Sequence, residues 1–337
     1  MRAIQMHQHG GPDVLALADL PVPLPGPGEL RVRVTRAAIN FSDTMRRRDD
    51  PYPFPTALPF VPGGEVAGTV DALGDGVEGP PVGTRVLALA GPDGSTGYAQ
   101  YALADAHRVV PIPEGVDDTT ASTVLVAGVT PLLVLTQVAR LQAGEAVLVP
   151  AAAGGVGSYA VQLAKALGAG PVLALAGTPA KREAARQLGA DHALDPADPG
   201  WPGQVRELTG GRGVDVALET VGAGVLEQTL QALAPFGRCV VIGYASRKPA
   251  SLSAEAIEAL LYRPALNQSL TGFNVGAFFV LAPHLAGPAI GQLLGLLASG
   301  QVRVPIAHEL PLDQAAEAHR LIESRAVQGK IVLLPWE

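Results

Sequence analysis

The residues with the clearest chemical meaning form the turn Ala152-Ala153-Gly154-Gly155-Val156-Gly157. A short apolar run at 146–149 precedes it, and a helical pattern at 158–167 follows. Gly154 lets a backbone approach a pyrophosphate. Gly157 lets the helix pack closely on the strand while its free N–H groups face the anion. Such a turn can also be a tight connection with no ligand, and Ala152 replaces the first glycine of the strict G-x-G-x-x-G pattern. The complete strand–turn–helix–strand spacing selects dinucleotide binding, with Ala153, Gly154, Gly155, Val156 and Gly157 as the contact surface.

Which dinucleotide is decided about 20 residues further on, where an NAD-binding chain is expected to carry Asp or Glu for the ribose hydroxyls. The second strand instead ends Ala176-Gly177-Thr178-Pro179-Ala180-Lys181-Arg182, with no acid before Glu183. Lys181, one of only four lysines in the chain, can pair with a 2′-phosphate in a charge-assisted contact worth about 1.5–3 kcal/mol. Its structural alternative is a solvated lysine at a helix start. Gly177, Thr178 and Lys181 thus predict NADPH ahead of NADH.

These residues need elements to hold them. With 337 residues the chain exceeds one ordinary core of about 150 residues, so two domains are expected. The 48% apolar and 16% charged content supplies enough burial to exclude disorder. Residues 1–122 read as short strands broken by turns: 31–34 alternates, and 21–28 is dense in proline and glycine. From 123 the texture becomes alternating strand and helix, with strands at 146–149, 172–176, 192–194, 214–218 and 238–243 and a sixth at 269–273. Helices are expected at 158–167, 180–188 and 225–233. Strands joined by helices run parallel, giving an α/β doubly wound Rossmann sheet. A helix at 312–325 and a strand at 330–334 close the chain. The simplest plan assigns 123–274 to the Rossmann domain, inserted between 1–122 and 275–337 of a mostly β domain, with a cleft where they meet.

Bulk properties narrow the partners. A net charge of −7 gives no footprint for nucleic acid, and the one basic run, Arg46-Arg47-Arg48, is followed at once by Asp49-Asp50. The single cysteine, Cys239, excludes an intrachain disulfide and a cysteine-based zinc cage. No apolar signal core opens the sequence and no run approaches a membrane span of about 18 residues, so a cytoplasmic location is expected.

The tract Ala151-Ala152-Ala153-Gly154-Gly155-Val156-Gly157, followed by Val161-Gln162-Leu163-Ala164-Lys165, resembles the zinc-free quinone oxidoreductase branch of the medium-chain dehydrogenase/reductase superfamily. Asn40-Phe41-Ser42-Asp43-Thr44, the stretch 58–68, Leu188-Gly189-Ala190-Asp191-His192 and Gln328-Gly329-Lys330-Ile331-Val332-Leu333 extend the likeness along nearly the whole chain. The resemblance implies a GroES-like catalytic domain beside the Rossmann domain, and a homodimer joined through the Rossmann sheets. Zinc alcohol dehydrogenases of the superfamily carry cysteine where this chain has Asn40 and histidine where it has Gly64. The seven histidines show no ligand spacing, so no zinc is expected.

Without a Lewis acid, hydride transfer favours an acceptor that is already polarised: a quinone, an enone or an enoyl thioester. Asn40 can orient the nicotinamide or hydrogen-bond the acceptor carbonyl; otherwise it is a turn residue. Asp43 reads as a cap for a short helix or as part of an active-site hydrogen-bond network. Tyr52 is a candidate proton donor or a wall of the pocket. It lies twelve residues after Asn40, where relatives place a tyrosine at eleven. The resemblance also places Thr130 near the nicotinamide, with capping of a helix at 131–138 as the alternative. Ile242, Gly243 and Tyr244 fall at the carboxyl edge of the fifth strand. By resemblance, Phe273 and Asn274 form the loop that holds the carboxamide, and Arg325 lies near the phosphates. Pro196 stands where relatives often have a tyrosine for the 2′-phosphate, which narrows the margin of NADPH over NADH.

The expected activity is NADPH-dependent reduction of a small quinone or α,β-unsaturated carbonyl. A 2-enoyl thioester reductase is the second reading, with Arg46-Arg47-Arg48 as its one candidate basic rim. A non-catalytic, crystallin-like nucleotide-binding protein is the reading from another class.

Overall fold

The computed structural model describes residues 1–262 and 266–337. It splits into two compact units, one of residues 1–127, 294–299 and 304–337, the other of 128–293 and 300–303. The sequence-based return to the first domain at 275 thus compares with 294 in the structure.

The first unit holds β1 (Arg2–Gln5), β2 (Ala16–Asp19), β3 (Glu29–Ala38), β4 (Glu65–Leu73), β5 (Arg85–Leu89), β6 (Tyr101–Asp105) and β7 (Val110–Pro111), with α1 (Phe41–Arg48) and α2 (Asp118–Ala121). After the six strands of the other unit, β14 (Ile306–Pro311), α11 (Ala315–Ser324) and β15 (Lys330–Leu334) complete this one. Its main sheet runs β14-β15-β3-β4-β5-β7, with β6 also paired to β3. Alternation along β3 buries Leu30, Val32 and Val34 in a core that also contains Ile4, Met6, Val66, Val86 and Leu333. Apolar burial at about 25 cal/mol per Å2 is what holds these thin, turn-rich strands together.

The second unit is a six-stranded parallel sheet in the order β10-β9-β8-β11-β12-β13, from β8 (Val147–Val149), β9 (Val172–Leu175), β10 (His192–Leu194), β11 (Val214–Glu219), β12 (Leu233–Val241) and β13 (Ser269–Gly272). This 3-2-1-4-5-6 order is the doubly wound Rossmann arrangement. Every residue of β8, β9 and β11 is buried, as strands covered on both faces require. Helices α3 (Val129–Leu133), α4 (Gly155–Ala166), α5 (Pro179–Gln187), α6 (Trp201–Leu208), α7 (Val225–Ala232), α8 (Ala254–Tyr262), α9 (Val275–Leu281) and α10 (Pro283–Ala298) accompany it.

Several boundaries differ from the sequence reading. The helix expected at 131–138 starts at Val124, with wide π-type turns at Val124–Gly128 and Val134–Val138 on either side of α3. β12 starts at Leu233, five residues early, because the chain turns through a positive φ of 63° at Phe236 and rejoins β11 with a register shift. Helix 312–325 opens as a 3-10 turn and ends where Arg325 adopts φ 58°. Among the described residues no single helix is long and apolar enough to cross a membrane; α9 and α10 pass together but meet at 118°.

Candidate active site

In the first unit, strand register brings three distant residues together. β15 pairs antiparallel with β3 so that Val332 faces Ala38, and β4 pairs with β3 so that Glu65 faces Ala38. Continuing the first register by two residues sets Asn40 across from Lys330. The Lys330 ammonium donates to Asn40 Oδ1 at 2.6 Å and to the Ile39 carbonyl at 2.9 Å, and lies 3.5 Å from Glu65 Oε1. Asn40 Nδ2 donates to Glu65 Oε1 at 2.9 Å, and Glu65 Oε2 accepts from the Val126 N–H at 2.9 Å. All three side chains are buried. Burial pushes the Glu65 carboxyl up and the Lys330 ammonium down, each opposed by attraction to the other.

Asn40, not Asp43, is the cap residue of α1. Asp43 sits in the first turn, where its Oδ2 accepts the Asn40 backbone N–H at 2.8 Å and the Tyr98 hydroxyl at 2.9 Å. The hydroxyl lies 3.2 Å from His319 Nε2, and His319 Nδ1 lies 3.2 Å from Arg47 Nη1. A guanidinium only donates, so Nδ1 accepts and the neutral ring carries its proton on Nε2. Every donor in this buried chain therefore points toward Asp43. Burial raises the Asp43 carboxyl to about 6 and, with the charges of Arg47 and Arg48, lowers His319 to about 3. Burial also holds the Tyr98 phenol well above its usual range.

The basic run is a correction to the sequence reading. Arg46 to Arg48 form the last turn of α1, and Arg46 and Arg47 are buried, so they offer no open basic rim. Arg46 pairs with Asp93 at 2.6 Å and Arg47 with Glu323 at 2.7 Å, while Arg48 binds Asp50 and Glu323. Acids thus neutralise the rim that would have received a polyphosphate carrier. Arg46 also lies 5.2 Å over the half-buried Tyr52 ring. Burial and the nearby Asp43 charge keep the Tyr52 phenol above its ordinary range. Asn40, Asp43 and Tyr52 accordingly share one polar neighbourhood.

The second unit carries the glycine turn. Gly154 caps α4, and the first helical bond runs from Ser158 N to Gly154 O, so the N–H groups of Gly155, Val156 and Gly157 have no intrahelical acceptor. A Cβ on Gly157 would stand 2.3 Å from Ala151 O and 2.7 Å from Ala152 Cα, so close packing demands that glycine. The strained residue of the turn is Ala151, at φ 49°; Ala152 is buried and its N–H is bonded to Leu175 O, which explains why alanine serves there. Gly177 and Gly243 follow β9 and β12, where an added Cβ would meet nothing within 4 Å and no positive φ calls for glycine. Folding does not require glycine at either position; a ligand lying on the strand ends would. The turn, the unsatisfied N–H groups and these open positions fit a dinucleotide.

Thr178 caps α5 by accepting the Lys181 N–H at 3.2 Å, and the Lys181 ammonium is lowered by partial burial. Arg182 bonds Ala176 O at 3.0 Å and Asp195 Oδ2 at 2.9 Å. Thr130 lies inside α3 and is 3% exposed, so it does not cap that helix. Ile242 and Tyr244 flank Gly243 beyond β12, with Ile242 N bonded to Glu219 O. Phe273 N donates to Val241 O at 2.9 Å, and Asn274 caps α9. Arg325 is exposed at the end of α11 in the first unit.

Four members of the buried network escaped the sequence reading: Glu65, Tyr98, His319 and Lys330. Lys330 was visible as a rare lysine opening an apolar strand, and Glu65 as an acid beside Gly63-Gly64; neither pattern names a partner. Among the described residues no three His, Cys, Asp or Glu side chains converge as metal donors. At the zinc position of the superfamily's alcohol dehydrogenases, Asn40 is already engaged by an ammonium and a carboxylate, a donor set unsuited to zinc.

Comparison with known proteins agrees with this architecture. Residues 26–114 match the alcohol dehydrogenase GroES-like domain and 155–278 the zinc-binding dehydrogenase domain. The chain is 33% identical to 2-haloacrylate reductase of a Burkholderia species over 99% of this chain and 98% of that one. It is 35% identical to quinone oxidoreductase of Pseudomonas aeruginosa over 99% of each. The structure of Escherichia coli quinone oxidoreductase complexed with NADPH superposes with a TM-score of 0.90 at 29% identity, covering 99% of this chain and 100% of that one. The chain belongs to the quinone oxidoreductase branch of the medium-chain dehydrogenase/reductase superfamily.

Proposed function

We propose that this protein is an NADPH-dependent reductase of a conjugated carbonyl, a quinone or an enone, acting without a metal. The observation that carries the reading is the Asn40 amide, fixed between Lys330 and Glu65 where zinc enzymes of the superfamily hold their metal. NADPH, when bound, supplies the hydride. The N–H groups at the start of α4 receive the pyrophosphate, Gly177 and Gly243 leave room for the nucleotide, and Lys181 with Thr178 faces the 2′-phosphate. Thr130, Ile242, Tyr244, Phe273, Asn274 and Arg325 contribute further cofactor contacts. Asn40 orients a carbonyl, and Tyr52, held in its protonated form at neutral pH, gives a proton to the reduced acceptor. Asp43 ends a buried donor chain and holds the cap of α1 in place.

The pairing of Arg46, Arg47 and Arg48 with acids favours a small acceptor over a CoA or carrier-bound thioester. A purely structural role is disfavoured by the buried charges, whose desolvation costs several kcal/mol per ion and brings a storage protein nothing. The Pseudomonas and Escherichia relatives named as quinone oxidoreductases and the Burkholderia 2-haloacrylate reductase, which acts on an unsaturated acid, support acceptors with a conjugated double bond. We place the protein in solution as a homodimer.

The test is oxidation of NADPH and of NADH, followed by absorbance, against a benzoquinone, an alkyl enone and crotonyl-CoA. Turnover of the quinone or enone with NADPH is expected. Turnover of crotonyl-CoA alone would replace the reading with the thioester one, and a folded, NADPH-binding protein inert to all three would leave the non-catalytic role.

A further inference from the structure

Asn40 looks symmetrical to a ligand: a carboxamide can donate or accept, and rotation by half a turn exchanges the two. Its surroundings remove that freedom. An ammonium can only donate, so the atom 2.6 Å from Lys330 Nζ must be the amide oxygen. An ionised carboxylate can only accept, so the atom 2.9 Å from Glu65 Oε1 must be the amide nitrogen. Reversing the group would set NH2 against NH3+ and C=O against COO−, two repulsions in a buried site where each like-charge contact is poorly screened. Lys330 is itself anchored by the Ile39 carbonyl, and Glu65 by the Val126 N–H, so neither partner can rotate away cheaply. With one N–H given to Glu65, the second is the donor that Asn40, 6% exposed, has left to offer.

We propose that Lys330 and Glu65 are positioning residues that make Asn40 a one-directional hydrogen-bond donor, so that the ligand atom it takes is a carbonyl oxygen. This rests on the reductase reading above and sharpens it. The oxygen belongs either to the acceptor or to the cofactor carboxamide; the two sources share one chemistry and are separated by measurement. In either case the pair acts through Asn40 without touching the reacting atoms.

The variant that tests this is Lys330→Met combined with Glu65→Gln, which removes both charges of the pair together, so that neither is left facing an absent counterion. Lys330→Met alone is expected to be poorly folded, because Glu65 would then be buried without its counterion. The double variant is expected to melt within a few degrees of the wild type and to lose about 10- to 100-fold in turnover, the equivalent of one charge-assisted hydrogen bond. If the oxygen is the acceptor's, kcat/KM for a benzoquinone falls while the NADPH Kd, read by fluorescence quenching, is unchanged. If it is the carboxamide's, the Kd rises as well. Wild-type kcat/KM and Kd in a folded double variant would overturn the proposal.

A readout independent of turnover uses the NADPH-bound enzyme. The Asn40 side-chain NH2 resonance, assigned by its loss in Asn40→Asp, is expected to exchange slowly with water in the wild type and at least about ten times faster in the double variant. Equal exchange rates would refute a pinned amide even if activity fell. Slow exchange in a protein that reduces no acceptor would uphold the geometry and reject the reductase reading.

Discussion

At the residue scale, the buried chain from Arg47 through His319 and Tyr98 to Asp43 carries a proton signature that can be read without knowing the substrate. His319 takes a proton at 6.5 when exposed and only near 3 in the folded protein. Between these values the unfolded histidine binds the extra proton, so the contribution of His319 to stability falls as pH drops, by about 1.4 kcal/mol per unit, while Asp43, raised to about 6, contributes in the opposite sense over the lower part of the same range. The contribution of neutral His319 is complete above pH 6.5 and drains as pH falls toward 3. His319→Gln can still accept from Arg47 and donate to Tyr98 but cannot be protonated. Its melting temperature should therefore fall less steeply than that of the wild type between about pH 6 and 4, and parallel curves would show that His319 does not govern the acid limb. At the cofactor, Lys181→Ala should weaken NADPH about 10- to 100-fold and spare NADH, and an unchanged preference would remove Lys181 from the 2′-phosphate. Lys181 could be singled out from sequence because it is a rare residue at a fixed distance from a recognisable turn. His319 could not, because its partners lie 221 and 272 residues away and only the folded sheet brings them together.

At the element scale, two glycines on the same sheet edge make opposite predictions. Gly157→Ala forces a Cβ against Ala151 O and Ala152 Cα, so α4 must lift from the strand; it should cost about 1–3 kcal/mol in stability and NADPH affinity together. Gly177→Ala meets no atom, so melting should be unchanged while NADPH binding weakens; an unchanged Kd would show that no ligand lies over the end of β9. The ion pair of Arg182 with Asp195 gives a third. Asp195 places a negative charge on Arg182, one residue after Lys181 in the turn proposed to receive the 2′-phosphate, so Asp195→Asn should raise the NADPH over NADH preference by about 2- to 5-fold, the scale of a partly exposed charge contact. The Rossmann strands were legible because their buried runs alternate with helices at a fixed spacing, and His192–Leu194 falls where the pattern sets it. The first unit was less legible. The pairing of β4 and β15 depends on their register with β3, and register is set by long-range burial, which a linear pattern does not record. The π-type turns around α3 likewise leave no sequence period of their own.

At the scale of the whole molecule, β13 is one edge of a parallel sheet in which β8, β9 and β11 are buried throughout, yet Ser269, Thr271 and Gly272 are exposed. An open edge of this kind is a template for pairing with another strand, and natural proteins shield or use it. The helices before and after β13 expose Leu261 (64%), Tyr262 (75%), Val280 (52%) and Leu281 (79%), side chains that water disfavours. A second copy related by a twofold axis would cover all of these at once, because an isologous interface sets the same patch against itself. Light scattering should therefore give twice the chain mass of 34.5 kDa. Leu261→Asp together with Leu281→Asp would bury four carboxylates at the twofold interface and should yield monomers. Because the glycine turn and the Asn40 network each lie within one chain, the monomeric variant should still bind NADPH. A wild-type monomer would refute the assembly, and a double variant that stays dimeric would move the interface away from the β13 edge.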